Sequence, residues 1–197
     1  NEEVGSRDVI FETYDPVALQ GGVPQFYGNS LQASPSSPIT VQGQFMLHDS
    51  ASAEAKISFA GSTELGQYNT LEDSLQVYMS MIGQAGIRGF NEHGQTVFHA
   101  QEVFPVLGAG TMIDIEATYD GTTITAVYSA HGSVVLEQEV VPSFSLDTFT
   151  IATQNERWDT AGPRITQEHL NISAGNSLGD TSDTETPEPD STPDPEP

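Results

Sequence analysis

The chain has 197 residues, no cysteine, and five Lys and Arg against 28 Asp and Glu, for a formal charge of -23. The lack of cysteine excludes disulfides, thiolate zinc sites and cysteine catalysis. The acidity repels phosphate backbones and anionic bilayers, and no window reaches the roughly 18 apolar residues of a membrane span, so neither nucleic acid nor membrane insertion is expected.

Apolar and polar residues alternate with a period of two along much of the chain, which predicts β-strands. In chain order the predicted strands are Val9–Tyr14, Ile39–Leu47, Ala55–Phe59, Leu75–Met81, Gly86–Phe90, Thr96–Phe104, Met112–Tyr119, Thr122–Ser129, Ser133–Val141, Thr148–Thr153 and Arg164–Ser173. Ten to twelve short strands separated by Gly, Pro, Asn and Asp turns predict an all-β fold of two antiparallel sheets.

The clearest hairpin signal is Asp120-Gly121, which follows one alternating run and precedes another. Both residue types tolerate positive φ, so the pair predicts a tight turn with the return strand starting at Thr122. A second turn at Ala130, His131 and Gly132 completes a predicted three-strand meander.

Composition divides the chain into a β-sandwich domain over 1–178 and an acidic Pro/Thr-rich linker over 179–197. The linker holds seven acids, five prolines and no base, so it predicts an extended spacer that joins the domain to others. Because the chain begins at Asn1 rather than Met, we expect that a leader was removed and that the protein is secreted, either extracellular or at the cell surface.

Three segments together resemble the concanavalin A-like lectin and glucanase superfamily, which includes laminin G-like modules. They are Val9–Glu12 leading to Ser37–Phe45, the central run Ile113–Gly121, and the closing strand Ile165–Ser173. The resemblance implies a jelly-roll sandwich in which the first and last strands pair, with Phe11 beside Leu170 and Ile172. It also implies a carbohydrate-binding module, a polysaccharide hydrolase or lyase, or an adhesion module, because this fold serves all three.

Asp114 and Glu116 share the polar face of one predicted strand, about 6–7 Å apart along it, and are the candidate catalytic pair. The string Met112-Ile113-Asp114-Ile115-Glu116 resembles the Glu-Ile-Asp-Ile-Glu strand of retaining glucanases on this fold. Met112 stands where that family has its nucleophilic Glu, and a thioether cannot form a glycosyl ester. A solvated strand face or a calcium or sugar contact is therefore expected in place of catalysis.

Ligand binding is predicted at two places that combine aromatic and hydrogen-bonding groups. Trp158, the sole tryptophan, lies between Arg157 and Asp159 in a polar loop, where the alternative is a lid over the sandwich edge. Arg88 and Asn91 belong to a predicted turn, where the alternative for Arg88 is an ion pair with a carboxylate.

Calcium is the one cofactor that the acid surplus suggests, and the resemblance implies that it can be held near the termini. Asp15, Asp120 and Asp159 lie in predicted turns and are the candidate ligands.

The sequence favours a non-catalytic module that binds a polysaccharide or cell-surface glycan. Two alternatives remain open at this point. One is a structural or adhesive surface or filament subunit that self-associates through calcium or β-strand contacts. The other is a polysaccharide hydrolase or lyase that uses Asp114 and Glu116.

Overall fold

The computed structural model describes residues 7–48, 54–155 and 165–175, which form an all-β structure. The strands are β1 Asp8–Thr13, β2 Val17–Leu19, β3 Gln25–Leu31, β4 Ile39–Leu47, β5 Glu54–Ala60, β6 Ser74–Ser80, β7 Gln84–Phe90, β8 Thr96–Val103, β9 Thr111–Tyr119, β10 Ile124–Ala130, β11 Ser133–Val140, β12 Phe149–Gln154 and β13 Ile165–Ala174. Among these residues no helix is long and apolar enough to cross a membrane.

The strands form two antiparallel sheets, which are called sheet A and sheet B below. Sheet A has the order β1-β13-β4-β9-β10-β11, with the short β2 also paired to β13, and sheet B has the order β3-β12-β5-β6-β7-β8. The first and last strands pair, with Phe11 opposite Ile172 and Thr13 opposite Leu170. The predicted jelly-roll sandwich and its terminal strand pair are confirmed.

The core lies between the two sheets and takes alternate residues from each strand, as a period of two requires. In β6 the inward side chains are Leu75, Val77 and Met79, all fully buried. Aromatic rings join the sheets, because the ring of Phe59 in sheet B lies 5.6 Å from that of Tyr119 in sheet A. Apolar burial of this kind is the main stabilising term for the sandwich.

A hydroxyl group also joins the two sheets through the core. Tyr128 on β10 is fully buried, and its Oη lies 3.0 Å from the carbonyl oxygen of Gly86 on β7 and 2.9 Å from Oε1 of Gln138. Burial raises the pKa of Tyr128, so the phenol stays a neutral donor. This contact joins β7, the strand next to the β8 edge of sheet B, to sheet A.

The β9–β10 hairpin forms where Asp120-Gly121 predicts it, but the two-residue turn and the strand start at Thr122 are wrong. Tyr119 pairs with Ile124, so the loop has four residues and the return strand begins at Ile124. Gly121 alone of the Asp-Gly pair has a positive φ, at 91°. The Asp120 carboxylate accepts the N–H groups of Thr122 and Thr123, which stabilises the longer loop.

Candidate functional site

Mostly polar side chains line a small pocket on the outer face of sheet B, the face turned away from the core. Its volume is about 230 Å³, which is below the roughly 300–1,000 Å³ of sites for drug-sized ligands. The pocket therefore has room only for a small molecule or for one part of a larger ligand. We call it the Arg88 pocket; its lining residues are Lys56, Tyr68, Asn69, Thr70, Gln76, Arg88, Phe90, Thr96, His99 and Gln154.

Arg88 lines this pocket, and its side chain is held from several sides. Its Nε donates to Gln76 Oε1 at 2.7 Å, and its Nη2 forms an ion pair with Glu54. The guanidinium carbon lies 4.2 Å from the ring centroid of Tyr78 and 5.7 Å from that of Phe90. Stacking and hydrogen bonds fix the plane of the cation before any ligand arrives.

A second hydrogen-bonded group lies beside Arg88. Tyr78 Oη donates to Gln101 Oε1 at 2.9 Å and lies 2.6 Å from Nε2 of His99. Since the phenol proton points to Gln101, Nε2 of His99 carries the proton of the second bond and Nδ1 remains an acceptor. Burial, followed by the charge of Arg88, lowers the pKa of His99, which favours this neutral imidazole.

Tyr68 lies at the rim of the pocket with 61% of its surface exposed. Tyr68 and Asn69 have φ values of 63° and 54°, a left-handed conformation that Asn tolerates but that is costly for Tyr. Gln154 Nε2 donates to the Asn69 carbonyl at 3.3 Å and ties this segment to β12. An exposed aromatic ring on a strained but anchored segment thus lines the same pocket as Arg88.

The residues predicted to bind ligand do not all come together. Arg88 lies in strand β7 and not in a turn, because the β7–β8 connection begins only at Asn91. Asn91 caps that turn, where its Oδ1 accepts the N–H groups of His93 and Gln95, and it does not line the Arg88 pocket. Trp158, Arg157 and Asp159 lie outside the described residues, as does the linker predicted over 179–197.

Asp114 and Glu116 face outward from sheet A, on the opposite side of the sandwich from the Arg88 pocket. They line a cavity of about 340 Å³. Gln42 Nε2 donates to Glu116 at 2.6 Å, and Gln44 Nε2 donates to Asp114 at 2.9 Å. Neutral amides paired with both carboxylates form a cross-strand ladder between β4 and β9, and Met112 continues the same outward row.

The described candidate calcium ligands do not form one site. No group of three or more His, Cys, Asp or Glu side chains comes together within residues 7–48, 54–155 and 165–175. The Asp120 carboxylate is used by its own loop, and the backbone N–H of Asp15 contacts Thr13 Oγ1 at 3.3 Å.

Sequence reasoning missed Gln76, Tyr78, His99 and Tyr68, which contact Arg88 or line its pocket. The sequence held a signal for two of them, because alternation in β6 places Gln76 and Tyr78 on the face opposite its apolar residues. In the structure both side chains are only 1% exposed, although they lie on the outer face of the sheet. Polar side chains buried on the outer face of a sheet need partners, and those partners form the site.

No family model matches the sequence, and no curated protein matches it either. Solved structures match its fold. The exoplasmic/lumenal domain of VIP36 in a Ca²⁺/Man3GlcNAc-bound form has a TM-score of 0.61 at 8% identity, covering 92% of this chain and 86% of that one. Sheep galectin-11 in complex with glycerol has a TM-score of 0.52 at 10% identity, covering 78% of this chain and 98% of that one.

A third similar structure is β-fructofuranosidase from Schwanniomyces occidentalis complexed with fructosyl-erythritol. Its TM-score is 0.58 at 12% identity, and the match covers 86% of this chain but 34% of the enzyme. The architecture follows from the two antiparallel sheets, the paired terminal strands and these similarities. The chain has the jelly-roll fold of the concanavalin A-like lectins, as its sequence resemblance predicted.

Proposed function

We propose that this protein is a non-catalytic extracellular module that binds carbohydrate at the Arg88 pocket. The observation that carries the proposal is that one pocket combines an exposed ring, Tyr68, with fixed polar groups on Arg88 and His99. Sugar rings have one relatively apolar face and a rim of hydroxyls, so an aromatic surface beside oriented donors and acceptors suits them.

The similar structures support the same class of ligand. The VIP36 domain is described as bound to Ca²⁺ and Man3GlcNAc, and the fructofuranosidase as bound to fructosyl-erythritol. The amide-paired carboxylates of Asp114 and Glu116, with Met112 in the same row, favour binding over hydrolysis. Calcium stays part of the proposal, with the Asp159 carboxylate and backbone carbonyls as its ligands.

A polysaccharide and glycan binding screen of the full chain, run with calcium and with chelator, tests this function. We expect saturable binding whose affinity falls at least about fivefold in Tyr68→Ala, since stacking and burial of one ring contribute roughly 1–3 kcal/mol. Tyr14→Ala is the matched control, because Tyr14 is 71% exposed and stacks on His169 of sheet A. Equal loss in both variants, or no saccharide bound at all, would refute the assignment.

A second candidate function is a structural or adhesive subunit. It is favoured by the edge strands β8 and β11, where Val103 and Val134 are 75% and 56% exposed. Unpaired edges with exposed apolar side chains can pair with a neighbouring chain. Light scattering at increasing protein concentration, with and without calcium, should then show a rising molecular mass. Val103→Lys should suppress this rise. A mass that stays at that of the monomer would exclude this candidate function.

A further inference from the structure

Charge is distributed unevenly between the two outer faces of the sandwich. Of the three Lys and Arg residues in the described ranges, Arg7, Lys56 and Arg88, two line the Arg88 pocket. None of the described lining residues is an Asp or Glu, although the chain holds 28 acids. The outer face of sheet A instead carries Asp114 and Glu116 in its cavity.

From this distribution we infer that the Arg88 pocket selects acidic saccharides, such as uronic acids or sulfated sugars, over their neutral counterparts. The inference rests on the proposed carbohydrate function and specifies its ligand class. A site that only needed hydroxyl recognition could use the Asn, Gln and Thr side chains that are plentiful in this chain. Placing scarce cations there indicates a ligand that carries negative charge.

The geometry of Arg88 supports this ligand class. Nε and Nη2 are used by Gln76 and Glu54, whereas no described residue accepts a hydrogen bond from Nη1. The guanidinium group is already packed against Tyr78 and Phe90. A carboxylate or sulfate oxygen that reaches Nη1 therefore meets a fixed donor, and the arginine side chain loses little conformational entropy on binding. Arginine in such a fixed plane is well suited to carboxylate and sulfate groups.

Glu54 is the group that competes with such a ligand. Its Oε1 contacts Arg88 and lies 3.4 Å from Lys56 Nζ, so one carboxylate is shared by two cations. The Glu54 side chain is 12% exposed, and those of Lys56 and Arg88 are 13% and 16% exposed. A ligand anion that reaches Arg88 would therefore compete with Glu54 for the same guanidinium group.

The test measures affinity of the full chain for three probes by calorimetry at about 0.15 M salt, where distant acids are screened beyond about 8 Å. The probes are a hexuronic acid trisaccharide, its carboxyl-reduced neutral form, and a sulfated hexose trisaccharide. We expect the acidic probes to bind at least about tenfold tighter than the neutral one, as one charge-assisted hydrogen bond can produce. Arg88→Gln should remove this preference, and Arg7→Gln should keep it, because Arg7 pairs with Glu116 of the other sheet.

Glu54→Gln provides a test that survives if Arg88→Gln fails to fold. Removing the competing carboxylate should tighten the acidic probes by about three- to tenfold and leave the neutral probe unchanged. Equal binding of neutral and acidic probes would overturn the charge preference and leave the carbohydrate function intact. A preference that persists in Arg88→Gln and is unchanged in Glu54→Gln would overturn the assignment to this pocket. Failure of all three probes, with no binding in the wider screen, would overturn both proposals.

Discussion

Replacing Tyr119 with Phe tests whether one buried hydroxyl holds the β9–β10 hairpin to the segment before β12. Tyr119 is fully buried, and its Oη accepts the Leu146 N–H at 3.0 Å and lies 3.0 Å from the Gly121 carbonyl oxygen. The substitution keeps the ring that contacts Phe59 and Phe149 and removes only the oxygen. Any change in stability therefore reports on hydrogen bonding and not on a cavity.

The magnitude follows from the partners left behind. The Leu146 N–H lies in a buried position and loses its acceptor, which costs about 1–3 kcal/mol. For a domain of this size that free energy lowers the melting temperature by about 2–12 °C.

Thermal and urea unfolding of the parent, Tyr119→Phe and Tyr14→Phe would measure it. Tyr14 is the matched control, because its hydroxyl also makes a hydrogen bond, to Glu12 at 2.6 Å, but in solvent. Surface substitutions of that kind usually stay within about 0.5 kcal/mol. If Tyr119→Phe is no more destabilising than Tyr14→Phe, the reasoning about Leu146 is wrong.

Two further predictions concern strands β7 and β8, which contribute residues to the Arg88 pocket. Burial and Arg88 hold the pKa of His99 below its usual value of 6.5, so the unfolded chain takes up a proton first as pH falls. As the pH falls from 7 towards the lowered pKa, the free energy of unfolding should therefore decrease more in the parent than in His99→Gln. Denaturant titrations of both proteins at pH 7 and pH 5 measure this difference. Equal decreases in the two proteins would contradict the prediction. Gly86→Ala places a Cβ 2.4 Å from the Ala100 carbonyl oxygen and 2.9 Å from Tyr78 Oη, and overpacking of this kind costs about 1–3 kcal/mol. Gly108→Ala, where no atom lies within 4 Å, is its control in thermal unfolding, and similar melting temperatures for the two variants would count against the packing argument.

Sequence patterning predicted the strands that alternate clearly and missed those that do not. β4 is predicted with both its ends correct because Ile39, Val41, Phe45 and Leu47 all point to the core. β3 was missed, since Gln25–Leu31 contains Gly28 and polar residues and has no fully buried member. The three-residue β2 is too short for a periodic signal.

The candidate site was predicted only in part, for a related reason. Arg88 could be selected because cations are scarce in this chain. Its partners come from other strands: Glu54 from β5, Gln76 and Tyr78 from β6, and His99 from β8. Which residues of neighbouring strands lie opposite each other depends on register, and a single sequence does not specify register at a polar outer face.

The pairing of β1 with β13 also determines how the domain would respond to mechanical force. Asp8 and Ala174 are opposite each other in this antiparallel pair. A force applied at these two residues would therefore break the hydrogen bonds between β1 and β13 one after another and not all at the same time. If the domain is tethered on both sides, β1 should peel away at low force while the other strands of the sandwich remain folded.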